Sequence, residues 1–327
     1  MSRISAQHVL PLVCLLVATG CAAAPGTPDT VSIATWNAEW MIEPATFEAL
    51  AATCTPREVR VTGETRSIPC DLIGRTQWEE TDLVRLRDFV ASLPIDVVAL
   101  QEVDGAATAA VLFPGWSACF TRREHVQNVG IVAKPGIPMR CNEDYSALGL
   151  PENTVRWGVD VSLFPDTPQE TRLLGVHLKS GCNRDSLASE REACTVLQRQ
   201  VPVLEAWIDA RAGAGERFAV LGDFNRRFDL ETGEGRDDQG RTVSMWPELD
   251  DAEPAGADLT HFDTGPGPEP CRPGDPIRQA IDFIVIGESL LPSVVTGSYR
   301  MWTYPRDDAR WPDHCLRSLT LNLGSTP

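Results

Sequence analysis

The chain has 327 residues, of which 43% are hydrophobic and 23% are charged, enough for one domain with a large core. Its 46 acidic residues outnumber its 29 lysines and arginines, which gives a net charge of −17. Such a chain repels nucleic acid at long range, so the composition excludes a tight, non-specific DNA-binding protein. It does not exclude an enzyme that meets phosphates through a divalent cation, because the cation reverses the local charge.

The first twenty residues are predicted to be a signal peptide that is not part of the fold. Arg3 precedes a mostly apolar run, Val9–Val17, which is too short to span a bilayer as a helix. The next segment, Ala18–Cys21, resembles a bacterial lipoprotein signal, in which the cysteine becomes the lipidated N-terminus. Cleavage after a small residue in Ala22–Ala24, with simple secretion, is the alternative.

This leader predicts both the domain organisation and the location. Residues 1–20 form the signal peptide, residues 22–30 form a flexible tether, and residues 31–325 form one folded domain. We expect an exported monomer, held in a bacterial cell envelope as a lipoprotein or released outside the cell. Its contact with a membrane is expected only through an N-terminal lipid.

Eight cysteines follow the leader, and an even number in an exported chain indicates disulfides. The sequence allows about a hundred pairings. Pairing of nearest neighbours is the expectation: Cys54–Cys70, Cys119–Cys141, Cys182–Cys194 and Cys271–Cys315. A zinc site is the rival interpretation, and the absence of any Cys-x-x-Cys motif disfavours it.

Strands are predicted at short apolar runs, and helices where apolar residues recur with helical spacing. The predicted strands are Val31–Trp36, Val97–Leu100, Val129–Ala133, Val155–Leu163, Leu173–Leu178, Phe218–Leu221, Ala280–Ile286 and Ser318–Leu323. One helix is predicted at Glu79–Leu93 and another at Leu197–Ile208, where Pro202 marks a kink or the true start. Residues 54–75 suggest a stapled insertion, and residues 229–278 suggest long functional loops. This mixture favours an α/β fold of two packed sheets flanked by helices.

Short polar motifs stand at the ends of these strands, and their order is more informative than any single motif. They are Thr35-Trp36-Asn37, Gln101-Glu102, His177-Leu178-Lys179-Ser180, Gly222-Asp223-Phe224-Asn225, Ile281-Asp282-Phe283-Ile284 and Asp313-His314. This succession resembles the endonuclease/exonuclease/phosphatase superfamily, which includes deoxyribonuclease I. The resemblance spans nearly the whole chain after the leader. It implies a four-layer α/β sandwich, with two mixed, mostly antiparallel sheets flanked by helices and the active site at one rim.

Hydrolysis of a phosphodiester needs a cation on the non-bridging oxygens, an oriented water and a proton for the leaving oxygen. Mg²⁺ is the expected ion, with Mn²⁺ or Ca²⁺ as alternatives, and carboxylates are its expected ligands. Glu102 is the first candidate, because a carboxylate directly after an apolar run is costly to bury unpaired. The alternative to a metal role for Glu102 is a helix N-cap or a surface acid. By resemblance, Asp313 joins the metal site, with a simple turn residue as the alternative. Glu39 is a third candidate ligand, with a surface acid as the alternative.

The predicted acid–base groups are histidines paired with carboxylates. By resemblance, His314 accepts a proton from the attacking water and Asp282 orients its ring. A carboxylate that accepts from one ring nitrogen leaves the other nitrogen free as a base. His177 is predicted to act as an acid or a phosphate contact, with a hydrogen-bonded core histidine as the alternative. Glu124 is a weaker candidate for orienting His177.

The remaining candidates are expected to bind the water and the phosphate. On a strand-like segment Asp223 and Asn225 would share one face, with Phe224 turned away. Asp223 would orient the water or the leaving group, and Asn225 and Asn37 would donate to the phosphate oxygens. A turn cap is the alternative for this segment. Arg156, at the start of a predicted strand, resembles a phosphate-contacting arginine, with solvated surface charge as its alternative.

Together these features predict a divalent-metal-dependent phosphodiesterase, with a nuclease acting on DNA or RNA as the first choice. A sphingomyelinase-like or inositol phosphate esterase is the alternative, since one superfamily fold hosts many substrates. A non-catalytic envelope binding protein is a further alternative from a different class. The completeness of the polar set argues against it, because a degenerate member should have lost some of these residues.

Overall fold

A computed structural model gives the fold of residues 28–56, 59, 65–74, 77–231, 233–263, 270–272, 274–277 and 279–324. The predicted signal peptide, the predicted lipidation site at Cys21 and most of the predicted tether lie outside the described residues. Within the described residues, no helix is both long enough and apolar enough to cross a lipid bilayer.

The described part of the chain forms two six-stranded sheets. In spatial order, the first contains β11 (Arg300–Trp302), β12 (Leu316–Asn322), β1 (Thr30–Met41), β2 (Val97–Val103), β4 (Asn128–Ala133) and β3 (Ser117–Phe120). The second contains β5 (Met139–Cys141), β6 (Val159–Leu163), β7 (Thr171–His177), β8 (Phe218–Asp223), β10 (Asp282–Gly287) and β9 (Leu259–Phe262). Only β1–β2 and β7–β8 are parallel among the paired strands described. The prediction of two mixed, mostly antiparallel sheets is confirmed.

Helices cover the outer faces of both sheets, which produces four layers. They are α1 (Pro44–Ala51), α2 (Glu80–Ala91), α3 (Ala106–Leu112), α4 (Glu192–Gly213) and α5 (Trp246–Leu249). Side chains of α2 and α3 pack on the first sheet, and α4 packs on the second. A third apolar cluster fills the space between the sheets. Central strands such as β4, β8 and β10 are buried along their whole length, which explains their nearly continuous apolar sequence.

Strand direction brings six polar strand ends to one rim of the sandwich. The parallel pairs β1–β2 and β7–β8 place their carboxyl ends there. The antiparallel strands β10 and β12 start at the same rim, opposite the ends of β8 and β1. The motifs that the sequence separates by up to a few hundred residues therefore converge.

All four predicted disulfides are confirmed. Cys119–Cys141 joins β3 at the edge of the first sheet to β5 at the edge of the second. Cys182–Cys194 ties the loop after β7 to α4, and Cys271–Cys315 ties a loop to the residue before β12. Four disulfides are typical of a protein that folds in an oxidising environment rather than in the reducing cytoplasm.

The secondary structure departs from the prediction mainly where elements are short. Strands β3, β5, β9 and β11 and helices α1, α3 and α5 span three to eight residues each, too few for a clear periodic signal. Helix α4 begins earlier than predicted and runs through Pro202. The strand predicted from Val155 begins at Val159 instead, so Arg156 lies in the preceding loop and not at a strand start. That prediction was wrong because Val155 and Trp157 extend the alternating apolar pattern of the strand to residues before the point where regular pairing begins.

Candidate active site

Glu102 reaches the rim because the backbone is irregular at that residue. Alternation along β2 would point Glu102 away from the inward-facing Gln101. The register slips on both sides of Glu102, against β1 and against β4. Its φ of 60° is in the left-handed region, which a non-glycine residue occupies only when its surroundings impose it. Such bulges re-aim side chains beside functional sites.

The Glu102 carboxylate is held by donors from β1. The backbone N–H of Trp40 donates to Oε2 at 3.0 Å, and the Asn37 side-chain amide lies 3.4 Å from Oε1. Burial raises the pKa of Glu102, against the opposing charges of Arg156 and His314. The alternatives of a helix N-cap and a surface acid are both excluded, since Glu102 lies within a strand and is largely buried.

Asn37 and His177 bridge the two sheets at this rim. The Asn37 amide donates to Asp223 Oδ2 at 3.1 Å as well as to Glu102. His177 Nε2 lies 3.7 Å from Glu102 Oε1 and 3.6 Å from Asp223 Oδ2. Burial and then the charge of Arg156 hold the pKa of His177 well below its usual value, so its ring is neutral. Its Nδ1 has no hydrogen-bond partner among the described residues, so the exposed Glu124 does not orient it.

The predicted pair of His314 and Asp282 is present. His314 Nδ1 lies 3.0 Å and 2.9 Å from the two carboxylate oxygens of Asp282. Burial opposes a charge on this ring, but Asp282 and the nearby Asp223 together raise the pKa of His314 well above its usual value. His314 Nε2 faces Asp313, at 3.8 Å from Oδ1.

The donor set fits a divalent metal ion. Ligand atoms of Asp223, Asp282 and His314 all lie within 4.8 Å of one another. Burial and then Asp282 raise the pKa of Asp223 from 3.8 to about 7, because the protein supplies too little positive charge to stabilise this buried carboxylate. Glu102 shares Asn37 with Asp223 and adds another oxygen donor. Carboxylates with raised pKa values, clustered around one cleft, are what a hard divalent cation would stabilise.

Glu39 and Asp313, two of the three predicted ligands, interact with each other. Glu39 Oε2 accepts from the backbone N–H of Asp313 at 3.1 Å and lies 3.4 Å from Arg272 Nη2. Burial and Asp313 raise the pKa of Glu39 to about 7. Glu39 thus positions the Asp313–His314 segment, and a metal role for either acid stays a prediction.

Asn225 and Arg156 hold the end of β7. The Asn225 amide donates to the carbonyl of Leu178 at 3.1 Å, and the Arg156 guanidinium donates to that carbonyl and, at 3.1 Å, to that of His177. Asn225 has a φ of 54°, and its backbone N–H donates to Asp223 Oδ1 at 2.8 Å. The strand-like alternation predicted for this segment was therefore wrong, and the turn-cap interpretation describes its backbone. Phe224 is turned into the core as predicted.

Two buried arginines support the rim in roles that the sequence did not predict. Arg317 on β12 is 5% exposed, and its Nε lies 4.0 Å from Asp282 Oδ2. A lone arginine on a buried strand is the signal that could have revealed it. Buried Arg226 binds Glu231 and the carbonyl of Cys182, at 2.5 Å and 2.6 Å, and so fixes the loop after β7. No local pattern distinguishes Arg226 from a solvated arginine.

Comparison with known proteins places this geometry in a family. The model of the Endonuclease/Exonuclease/phosphatase family matches residues 34–318. No curated protein matches the chain by sequence.

Solved structures share the fold at low sequence identity. A truncated Caenorhabditis elegans TDP2 superposes with a TM-score of 0.53 at 14% identity, covering 90% of this chain and 97% of that one. The human Nocturnin catalytic domain with bound sulfate gives 0.51 at 14% identity, covering 89% and 93%. A D. rerio TDP2 complexed with a single-strand DNA product gives 0.51 at 16% identity, covering 90% and 100%. With the family model matching most of its length, this chain belongs to the endonuclease/exonuclease/phosphatase family of phosphoesterases.

Proposed function

We propose that this protein is an exported, divalent-metal-dependent phosphodiesterase that hydrolyses DNA or RNA. The observation that supports it most is the convergence of Asn37, Glu102, His177, Asp223 and the Asp282–His314 pair at one rim of the family fold. A binding protein without catalysis would have no need to keep this complete set of buried carboxylates and imidazoles, whose burial is unfavourable. A similar fold is known with a single-strand DNA product, in D. rerio TDP2.

The chain's own groups suggest a division of labour. The charges of Asp282 and Asp223 raise the pKa of His314, so its ring would act as a base once a bound cation offsets those charges. Neutral His314 then uses Nε2 to accept a proton from the attacking water, while Asp282 holds Nδ1 and so fixes the tautomer. Asp223 orients the water or the leaving oxygen. Asn225 and the neutral His177 donate hydrogen bonds to the phosphoryl oxygens, and Arg156 adds positive charge beside them. Asn37 joins them when one of the two carboxylates to which its amide donates binds the cation instead.

Glu102 would hold the metal, with Asp313 and Glu39 completing the site. A bound Mg²⁺ or Mn²⁺ would polarise the phosphoryl group and offset its charge. The set of Asp223, Asp282 and His314 is the competing ligand set. We favour Glu102 because Asp282 already holds His314 Nδ1 with both oxygens. Calorimetric titration with Mn²⁺ distinguishes the two ligand sets. If Glu102 is a ligand, Glu102→Ala should abolish Mn²⁺ binding and His314→Ala should retain it.

A substrate panel tests the activity. Plasmid DNA, RNA, sphingomyelin and inositol phosphates are each incubated with Mg²⁺, Mn²⁺ or Ca²⁺, and Glu102→Ala serves as the inactive control. Cleavage of nucleic acid that stops on chelation supports the proposal. Cleavage of only sphingomyelin or inositol phosphates would instead support the alternative function, a sphingomyelinase-like or inositol phosphate esterase. No cleavage with any ion favours the non-catalytic binding protein.

We further propose that the chain is exported through residues 1–20 and anchored in a bacterial envelope through a lipid on Cys21. The four disulfides support export, because they require an oxidising compartment. Detergent phase partitioning of wild type and Cys21→Ala tests the anchor. Partitioning of both variants into the aqueous phase would mean free secretion instead.

A further inference from the structure

A second pocket opens beside the catalytic rim, with a volume of about 330 Å³. Its lining includes Trp40, Ser67, Arg123, His125, Arg156 and Lys179. The pocket adjoins the proposed site through two of these residues. The Trp40 backbone binds Glu102, and Arg156 binds the carbonyl of His177.

Arg123 is the unusual feature of this pocket. It is only 6% exposed, and its Nε and Nη1 have no hydrogen-bond partner among the described residues. Burial and then the charge of Arg156 lower the pKa of Arg123 to about 10. A buried guanidinium with two unpartnered nitrogens is unfavourable, since arginine keeps its charge and offers five donors. Its position in a pocket wall indicates that a partner other than these described residues, such as a bound ligand, satisfies it.

The surroundings of Arg123 favour an anion. Arg156 and Lys179 line the same pocket. The Nδ1 of His125 accepts from the backbone N–H of Gln127, and burial followed by the charges of Arg123 and Arg156 lowers the pKa of His125 to about 3. The pocket also contains one carboxylate, Glu192. A cluster of cationic side chains is notable in a chain of net charge −17.

We infer that this pocket binds a second phosphate of the substrate, the neighbour of the scissile phosphate along a nucleic-acid strand, with Arg123 as its principal donor. The inference rests on the proposed nuclease function. A planar guanidinium with two unused donor groups matches a phosphate in a forked, charge-assisted arrangement. Arg123 would then select strands that continue past the scissile bond over compounds with one phosphodiester.

The first test measures how activity depends on strand length. Arg123→Met is compared with Arg122→Gln, which removes the same charge one residue away from a side chain that is 71% exposed and paired with Asp144. With oligonucleotides, Arg123→Met should raise KM about 10-fold or more, with a smaller change in kcat. The effect should be much weaker with bis(p-nitrophenyl) phosphate, which carries one phosphate. Equal losses on both substrates, or an equal loss in Arg122→Gln, would overturn the inference.

The second test needs no catalysis. With a chelator present, inorganic phosphate should raise the melting temperature of wild type but not of Arg123→Met, because a ligand stabilises only the protein that binds it. Without phosphate, Arg123→Met should melt at or above the wild-type temperature, because an unpaired buried charge is removed. If no variant cleaves nucleic acid but this shift is observed, the proposed function fails while the phosphate pocket stands. Equal shifts in both proteins, or none in wild type, would refute the pocket itself.

Discussion

The space between the two sheets and the rim above it are built from the same faces of the same strands, yet they have opposite character. Along β7, Leu173 lies in the apolar core and His177 lies at the rim. Along β8, Leu221 is in the core and Asp223 is at the rim. Along β10, Ile284 is in the core and Asp282 is at the rim.

This difference separates stability from chemistry within single strands. Apolar groups in the core are stabilised by burial itself. Carboxylates and imidazoles at the rim are destabilised by burial and need partners or an ion. We therefore expect rim substitutions to affect activity and core substitutions to affect stability. The following predictions test this division, from the largest effect to the smallest.

Removal of divalent ions should have the largest effect. With a chelator, hydrolysis should fall to the background rate, because the clustered carboxylates would repel an anionic substrate without a cation between them. Readdition of Mg²⁺ or Mn²⁺ should restore the rate and raise the melting temperature. Activity that persists after exhaustive chelation would contradict a metal-dependent rim.

Replacement of the proposed base should come next. His314→Ala should lower kcat by about 10²- to 10⁴-fold, the usual range for a general base. The melting temperature in chelator should also fall, because Asp282 loses its ring partner and is left as an uncompensated buried charge. Steady-state kinetics and thermal melts on the same preparation measure kcat and the melting temperature. Normal kcat in this variant would mean that another group accepts the proton.

A core substitution on β7 should lower stability without lowering kcat. Leu173 is fully buried between the sheets. Leu173→Ala should lower the free energy of unfolding by about 2–5 kcal/mol, because it leaves a cavity. Below its melting temperature, kcat per folded molecule should remain near the wild-type value. Denaturant titration and kinetics measure the two quantities, and a large loss of kcat would show that core and rim are coupled.

The disulfide between the sheet edges should have a moderate effect on stability. Replacing both Cys119 and Cys141 by Ala should lower the free energy of unfolding by about 2–4 kcal/mol, since this cross-link limits the unfolded chain. Activity should persist at low temperature. The matched double variant of Cys271 and Cys315 should lose activity as well, because Cys315 adjoins His314.

The smallest effect should come from one rim charge. In the folded protein the pKa of Asp223 is raised from 3.8 to about 7, so stability is lost as pH rises through that window. In chelator, Asp223→Asn should therefore be more stable than wild type above pH 7, where the wild-type carboxylate is charged and buried. The advantage should vanish near pH 4. Denaturant midpoints across pH measure it, and a variant less stable than wild type at high pH would show that the protein already compensates this charge.

Much of this arrangement could be predicted from the sequence. The apolar strands and their polar ends are local patterns, and alternation by two residues puts Asn37 on the same face of β1 as Ile33. The nearest-neighbour disulfide pairing was an expectation that the structure confirms, although the eight cysteines alone allow about a hundred pairings. The short edge strands were not, because three or four residues carry too little periodic signal.

Two features of the rim had no local signal. Alternation would have turned Glu102 outward, and only the paired bulges with β1 and β4 direct it to Asn37. Arg123 reads as a solvated charge beside Arg122, yet packing buries the first and exposes the second. The bulge at Glu102 depends on pairing with the neighbouring strands, and the burial of Arg123 depends on the segments that pack over it. Neither is a local property of the sequence.

By itself the sequence determined which residues form strands, which polar groups end them and which family they resemble, because these depend on periodicity and order along the chain. Only the tertiary structure decided which charges are buried, how far apart they lie and which of them lack partners. The reason is physical: desolvation and Coulomb interactions depend on distances between groups far apart in sequence, and the packing of the two sheets sets those distances.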